Sequence, residues 1–373
     1  MRRTILSSIL VMLAGIAHAQ TPECNRLCSR DFMFSLESGF DVIPLVADGE
    51  HANGFMEDGR VPLIWGALDP DDEDAIYFTS SLLFAGGDVH ARDKKYGQTP
   101  LHWHMGRTGG PLEEVVAMFL EKQASVLNKD KFGYSVLDFA NGNVNPEVLG
   151  LTGLPYVRDE IADMIREAAE NEVAYRNAVD MHNNEVGGDV PMLVLKGMAI
   201  EGFAPAQFTY AVFLESRGDD ATGSESDEDR FWFEESWEPG STGSDIDQAL
   251  YWFEESANSG FIPSIYHLGS SAYKGTSLME QNDALAHTWL SLGARKGDTN
   301  SQALLSLMHA NRKGVERDIQ KGLMWMIISL RFGENEPERE RLSHQMVSAL
   351  SHEEVIEAEK MAKECIMGFF EHC

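Results

Sequence analysis

The sequence predicts an all-α protein built from two helical-repeat solenoids that follow one another along the chain. Two periodicities carry this expectation. In the second half Trp252, Trp289 and Trp325 are spaced by 37 and 36 residues, with the same residue types around each. In the first half a short motif ending in an apolar helix start returns every 36 to 38 residues. Periods of this length mark helical hairpins that cannot bury their apolar faces alone and must stack on neighbours. A hydrophobic fraction of 43% over 373 residues is enough to build cores for two domains of ordinary size.

The first 19 residues have a basic start (Arg2, Arg3), an apolar run from Ile5 to Ile16 and an Ala17-His18-Ala19 end. This is the pattern of a secretory signal cleaved before Gln20, and the apolar run is too short to span a bilayer. A soluble periplasmic or secreted protein with no membrane span is expected. Cys24 and Cys28 lie near one end of the mature chain and Cys365 and Cys373 near the other. In an oxidising compartment such close pairs suit two local disulfides that staple the terminal repeats, while a redox-active CxxxC pair is the sharper alternative for Cys24 and Cys28.

A first array is expected within 20–160. GQTPLHWH (97–104) follows GRVPLIWG (59–66) and precedes GYSVLDFA (133–140), and LLFAGGDVHARD (82–93) aligns with FLEKQASVLNKD (119–130). Thr99 and Pro100 suit a helix start, where the hydroxyl caps free amides and proline loses no needed donor. Gly86 and Gly87 permit the backbone angles found just after a helix, and Gln123 stands where the next copy would carry such a glycine. Over roughly 30–150 this pattern resembles ankyrin repeats. The resemblance implies that His102 is a structural histidine bonded to neighbouring loops, and that Trp65, His102, Trp103 and His104 lie near a partner-binding surface. A metal site on His102 and His104 is disfavoured, because helical positions two apart point about 200° from one another. No metal and no cofactor is expected.

A second array is expected over 171–335, with 336–373 as closing helices. Three residues before each spaced tryptophan stands a small residue (Ala249, Ala286, Gly322), seven before it a capping type (Asp245, Asn282, Asp318), and eight after it a glycine (Gly260, Gly297, Gly333). A polar cap starts a helix, tryptophan fills one face, a small residue lets a neighbour approach, and glycine closes the helix. This is similar to the Sel1-like repeat, a relative of the tetratricopeptide repeat, as found in exported bacterial proteins. WFEES occurs at both 232–236 and 252–256, but only the second copy has the small residue and the cap. The first therefore sits in an insertion, 219–243, left by a short internal duplication.

That insertion holds Asp227, Glu228 and Asp229 beside Trp232 and Trp237. It reads as a solvated acidic loop, or as a docking arm for a basic partner with aromatic anchors; calcium binding is a third reading, disfavoured because the DxDxDG order of a calcium loop is absent. The chain's formal charge is −30, and loss of Arg2 and Arg3 takes 30 basic residues to 28 against 60 acidic, a net near −32. Such a charge disfavours a nucleic-acid partner. The sequence has no GxSxG, phosphate-cradling glycine loop or HExxH. The expectation is an exported, non-enzymatic protein-interaction scaffold. The alternatives are an inhibitor of a basic secreted toxin and, from the Cys365 to Cys373 spacing shared with some cysteine-rich Sel1-like proteins, a β-lactam-hydrolysing enzyme.

Overall fold

The computed structural model describes residues 26–33, 35–36, 38–48, 50, 52–145, 156–184, 186–188, 190–219, 244–333, 336–370 and 373. Every regular element among them is helical. The chain divides into two units, one of Met1–Arg176 with Ala362–Cys373 and one of Asn177–Met361.

Besides a single turn at Arg30–Met33 and the end of the last helix, the helices of the first unit are α1 (Val42–Ala47), α2 (Pro62–Ala67), α3 (Asp72–Phe84), α4 (Pro100–Met105), α5 (Glu113–Glu121), α6 (Val136–Ala140) and the start of α7 (Asp159–Asn183). Proline opens α2 and α4 at the first helical position, where its missing N–H costs nothing. Thr99 caps α4 and Ser135 caps α6, each in a reciprocal capping box with the residue three further on. The helices pair in hairpins: Gly66 of α2 lies so close to α3 that a Cβ there would stand 2.9 Å from Leu82 and 3.0 Å from Phe78. Leu63, Ile64, Leu82, Leu101, Met105, Val115, Phe119 and Val136 form the core of the stack.

The loops repeat as faithfully as the helices. Met56 N–H donates to Arg60 O, Asp93 to Gln98 O and Asp130 to Tyr134 O, so each loop closes on itself in the same way. Successive loops are joined by Lys94 N–H to Gly59 O and Lys131 N–H to Tyr96 O, both 2.9 Å. The extra residue in the middle loop is absorbed by the Asp93 carboxylate, which accepts from the N–H groups of Lys95, Tyr96 and Gln98. Gly86 takes the left-handed conformation (φ 80°) after α3, and Gln123 takes it after α5 (φ 61°) although it carries a Cβ.

Two histidines and an arginine brace one hairpin to another. His104 Nε2 accepts from Leu112 N–H at 2.9 Å, so its Nδ1 carries the proton and donates to Ala67 O at 2.7 Å. His102 holds the opposite tautomer: Nε2–H donates to Tyr134 O and Nδ1 accepts from the Thr99 hydroxyl at 2.7 Å. Buried Arg107 donates to Asp69 O, Pro70 O and Gly110 O and pairs with Asp72. Burial pushes both imidazole pKa values down to about 4.

Residues 362–373 belong to the same unit. Cys365 is bonded to Cys373, Phe84 of α3 packs against Phe369 and Phe370 with ring centroids 4.7 and 4.6 Å apart, and Lys363 pairs with Asp48. Cys28 is also disulfide-bonded, whereas Cys24 lies outside the described residues.

The second unit stacks α8 (Val190–Ile200), α9 (Ala204–Asp219), α10 (Asp245–Asn258), α11 (Ile262–Lys274), α12 (Asp283–Arg295), α13 (Thr299–Asn311), α14 (Ile319–Phe332) and α15 (Pro337–Ser348), followed by the start of α16 (His352–Met367). Asn282 and Asp318 cap α12 and α14 as expected. At α10 the cap is Ser244, not Asp245, because Ser244 and Asp247 form a capping box one residue earlier. Asp245 becomes the first helical residue and pairs with Arg217. Trp252 and Trp325 are buried, but Trp289 is half-exposed. Gly260 (φ 92°) and Gly297 (φ 86°) close their helices in the left-handed conformation. Gly333 does not: its backbone is extended, and glycine is required there because a Cβ would stand 2.6 Å from Ser329 O and from Arg339 Nη1.

Small residues set the helix spacing. A Cβ on Gly322 would lie 2.9 Å from Ser306 O, and one on Gly293 would lie 2.3 Å from Ser301 Oγ. Four residues after each repeat tryptophan stand Ser256, Gly293 and Ser329. The two serines donate to carbonyls at the starts of earlier helices, Ala204 O and Thr299 O, both at 2.9 Å. The end of one helix is likewise tied to the next by Gln207 to Ala199 O and Gln302 to Ala294 O.

Four outcomes are expected. Gly322→Ala should cost about 1–3 kcal/mol through overpacking against the Ser306 carbonyl, read as a lower urea midpoint. Gly197→Ala, where a Cβ meets nothing within 4 Å, should instead stabilise the helix by about 0.5–1 kcal/mol. Gln123→Gly should raise stability by up to about 1 kcal/mol, since an L-residue in the left-handed region carries a strain that glycine lacks. The fourth outcome concerns pH. His102 and His104 stay neutral in the native fold down to about pH 4, while unfolded histidine titrates near 6.5. Their contribution is complete above about pH 6.5 and is lost as pH falls toward 4, on the order of 3 kcal/mol for each ring. Denaturant titrations across that window should therefore show stability falling with acidity, and the slope should shrink in His104→Gln.

Candidate binding surfaces

One edge of the first unit gathers aromatic rings and cations. Asp93 and Asp130 are buried, and their carboxylates are occupied by backbone N–H groups of their own loops, with Gln98 also bonded to Asp130. Trp103 Nε1 donates to Asp93 Oδ2 at 3.2 Å, which fixes the indole at the loop. Arg60 lies over the rings of both Trp65 (4.1 Å) and Trp103 (4.9 Å) and is also paired with Asp58. Tyr96 then stands 5.7 Å from Trp103 and 5.9 Å from Phe132, so the rings continue from loop to loop. Phe132 is 41% exposed. Lys94 lies over Phe55 and Lys95 over Tyr96.

Of the residues the resemblance places at a partner surface, Trp65 and Trp103 are on this edge and half-buried. His102 and His104 are not on any surface: both have 0% exposure, because the first turn of α4 is where the hairpins stack, and their ring nitrogens are used in bracing. Asp227, Glu228, Asp229, Trp232 and Trp237 lie outside the described residues.

The second unit has a different cluster. Glu215 on α9 accepts from His267 Nε2 on α11 at 2.9 Å. The imidazole stacks on Phe253 with centroids 4.3 Å apart, and Phe208 meets His267, Phe253 and Phe261. The carboxylate thereby fixes the ring's orientation across neighbouring hairpins. Further along, His287 and His309 stand with ring centroids 6.0 Å apart, and burial lowers the pKa of both, that of His309 to about 4. Among the described residues no group of three or more His, Cys, Asp or Glu side chains is arranged to hold a metal ion, and no helix is long and apolar enough to cross a membrane.

Sequence reasoning missed Arg60, Asp93, Tyr96 and Phe132 as parts of one surface. The signal was present as a repeated string, Arg92-Asp93-Lys94-Lys95-Tyr96-Gly97 and Lys129-Asp130-Lys131-Phe132-Gly133. Glu215 and His267 are 52 residues apart and leave no such trace.

Comparison with known proteins bears on the second unit. No curated protein matches the chain. Among solved structures, the chain is similar to a protective antigen of uropathogenic Escherichia coli with an SLR fold, at 16% identity over 89% of this chain and 68% of that one, with a TM-score of 0.36. It is also similar to a Sel1 repeat protein from Oxalobacter formigenes, at 16% identity over 53% of this chain and 75% of that one, with a TM-score of 0.32. The Sel1 repeat family matches residues 237–261, 262–298 and 299–330, so the C-terminal region of this chain carries Sel1 repeats.

Proposed function

We propose that this protein is an exported scaffold that binds another protein through the surfaces of two stacked-hairpin arrays. The observation that carries this reading is the Sel1 match over 237–330. In such stacks the buried positions serve the core and the braces, and the outward side chains are free to vary with the partner. The first array is read here as an ankyrin-type stack, supported by its self-closing loops and by the His102 bridge to Tyr134. The Trp65–Arg60–Trp103 group at its edge is the kind of aromatic and arginine surface on which binding energy concentrates. The acidic stretch 219–243 is proposed as a second docking element, and residues 1–19 as the export signal.

A narrower reading, inhibition of a basic secreted toxin, is favoured by one property, the formal charge of −30, which would speed encounter with a cationic target. No catalytic role is proposed.

The test is affinity capture from the source organism with the full chain, beside variants that lack 219–239 or carry Trp65→Ala with Trp103→Ala. A discrete protein retained by the full chain and weakened about tenfold or more by at least one variant is the expected result, since central aromatic anchors each contribute about 2 kcal/mol or more. A full chain that retains nothing beyond a tag-only control refutes the scaffold.

A further inference from the structure

The most unusual feature of this acidic chain is a place where the local charge is reversed. In the loops 90–98 and 127–134 the basic residues are Arg92, Lys94, Lys95, Lys129 and Lys131, and the acidic ones are Asp93 and Asp130. All five cations are exposed, whereas both carboxylates are buried, at 3% and 7% exposure. Each carboxylate is turned inward to cap its own loop, so what faces water is positive. Among the described residues, no carboxylate lies within ion-pair distance of any of the five. Exposed acids flank the strip: Asp88 stands four residues before Arg92, and the preceding loop carries Glu57 and Asp58, the latter held by Arg60.

The cations are also positioned. Lys131 Nζ donates to Lys94 O at 2.6 Å, and Arg92 Nη1 donates to Gly97 O and Lys129 O, both at 2.8 Å, which ties the charges of one loop to the backbone of the next. Between them run the faces of Tyr96, Trp103 and Phe132. The result is a short strip of ammonium and guanidinium groups interleaved with rings, on a chain whose net formal charge is −30. An extended acidic peptide fits this strip: its carboxylates meet the cations and its apolar side chains lie on the rings. A nucleic acid fits it poorly, because a long polyanion would extend beyond five cations into the field of a chain with 60 acidic residues.

We propose that this edge of the first unit binds an acidic segment of a partner protein, a segment that combines Asp or Glu with one or more aromatic or aliphatic residues. The proposal rests on the scaffold reading and gives one of its surfaces a partner chemistry.

The test uses the full chain and a fluorescein-labelled peptide alternating Glu with Gly and Phe, beside a peptide in which Lys replaces Glu and a short single-stranded oligonucleotide. Fluorescence anisotropy should show saturable binding of the acidic peptide that weakens with added salt, and little binding of the other two. Lys95→Glu with Lys129→Glu, two exposed residues that form no ion pair among the described residues, should weaken it about tenfold or more while the thermal midpoint stays in place. Phe132→Ala, which leaves every charge intact, should weaken it separately. Stronger binding of the basic peptide or the oligonucleotide, or acidic-peptide binding unchanged by the double reversal, overturns the proposal. So does self-association of the chain that disappears with the reversal, which would make the strip a contact between copies. If the acidic peptide fails to bind while affinity capture still yields a partner, this edge is wrongly assigned and the scaffold stands. If capture also fails, both are wrong.

Discussion

Short helices leave much of their backbone unsatisfied, and that shortage organises the first unit of this protein. A helix of five or six residues, such as α4 or α6, has hardly any carbonyl or N–H group that is not at an end. Buried end groups need partners, and here the partners come from the next hairpin. His104 bonds Ala67 O, and Arg107 bonds Asp69 O and Pro70 O. Removing one such side chain strands a buried carbonyl, which is costlier than losing the bond itself. Stacking is thus enforced by polar accounting as well as by apolar burial.

The same principle separates bracing residues from those left at the edge. In HWH (102–104) the two histidines face the stack and are consumed by it, while the tryptophan between them points toward the loops and shares Arg60 with Trp65. Adjacent positions on one short helix therefore have opposite roles. Net charge divides in a similar way. A formal charge of −30 describes the whole chain, yet burial of Asp93 and Asp130 is enough to reverse the sign along one edge.

Much of the architecture was legible because it is periodic. Tryptophan spacing located α10, α12 and α14, and TPLH located the capped start of α4. The errors arose where residue type and geometry part company. Asp245 is a capping type, but the box formed by Ser244 and Asp247 wins the position. Gly333 matches Gly260 and Gly297 in sequence, yet it answers a steric demand from Ser329 and Arg339 and has no left-handed turn to make. Gln123 shows the reverse, a left-handed turn kept without glycine. The aromatic edge was half legible: Trp65 and Trp103 stand out in the sequence, but the rings that join them across loops, Tyr96 and Phe132, are brought together only by stacking.

The placement of residues 362–373 in the first unit makes that unit discontinuous along the chain, with the whole of the second unit falling between its two parts. Phe84 acquires Phe369 and Phe370 as neighbours only after some 280 further residues have been made. Domains usually complete themselves in the order in which they leave the ribosome. Here the second unit has its full complement of residues before the first does, so of the two units the one begun earlier is finished later.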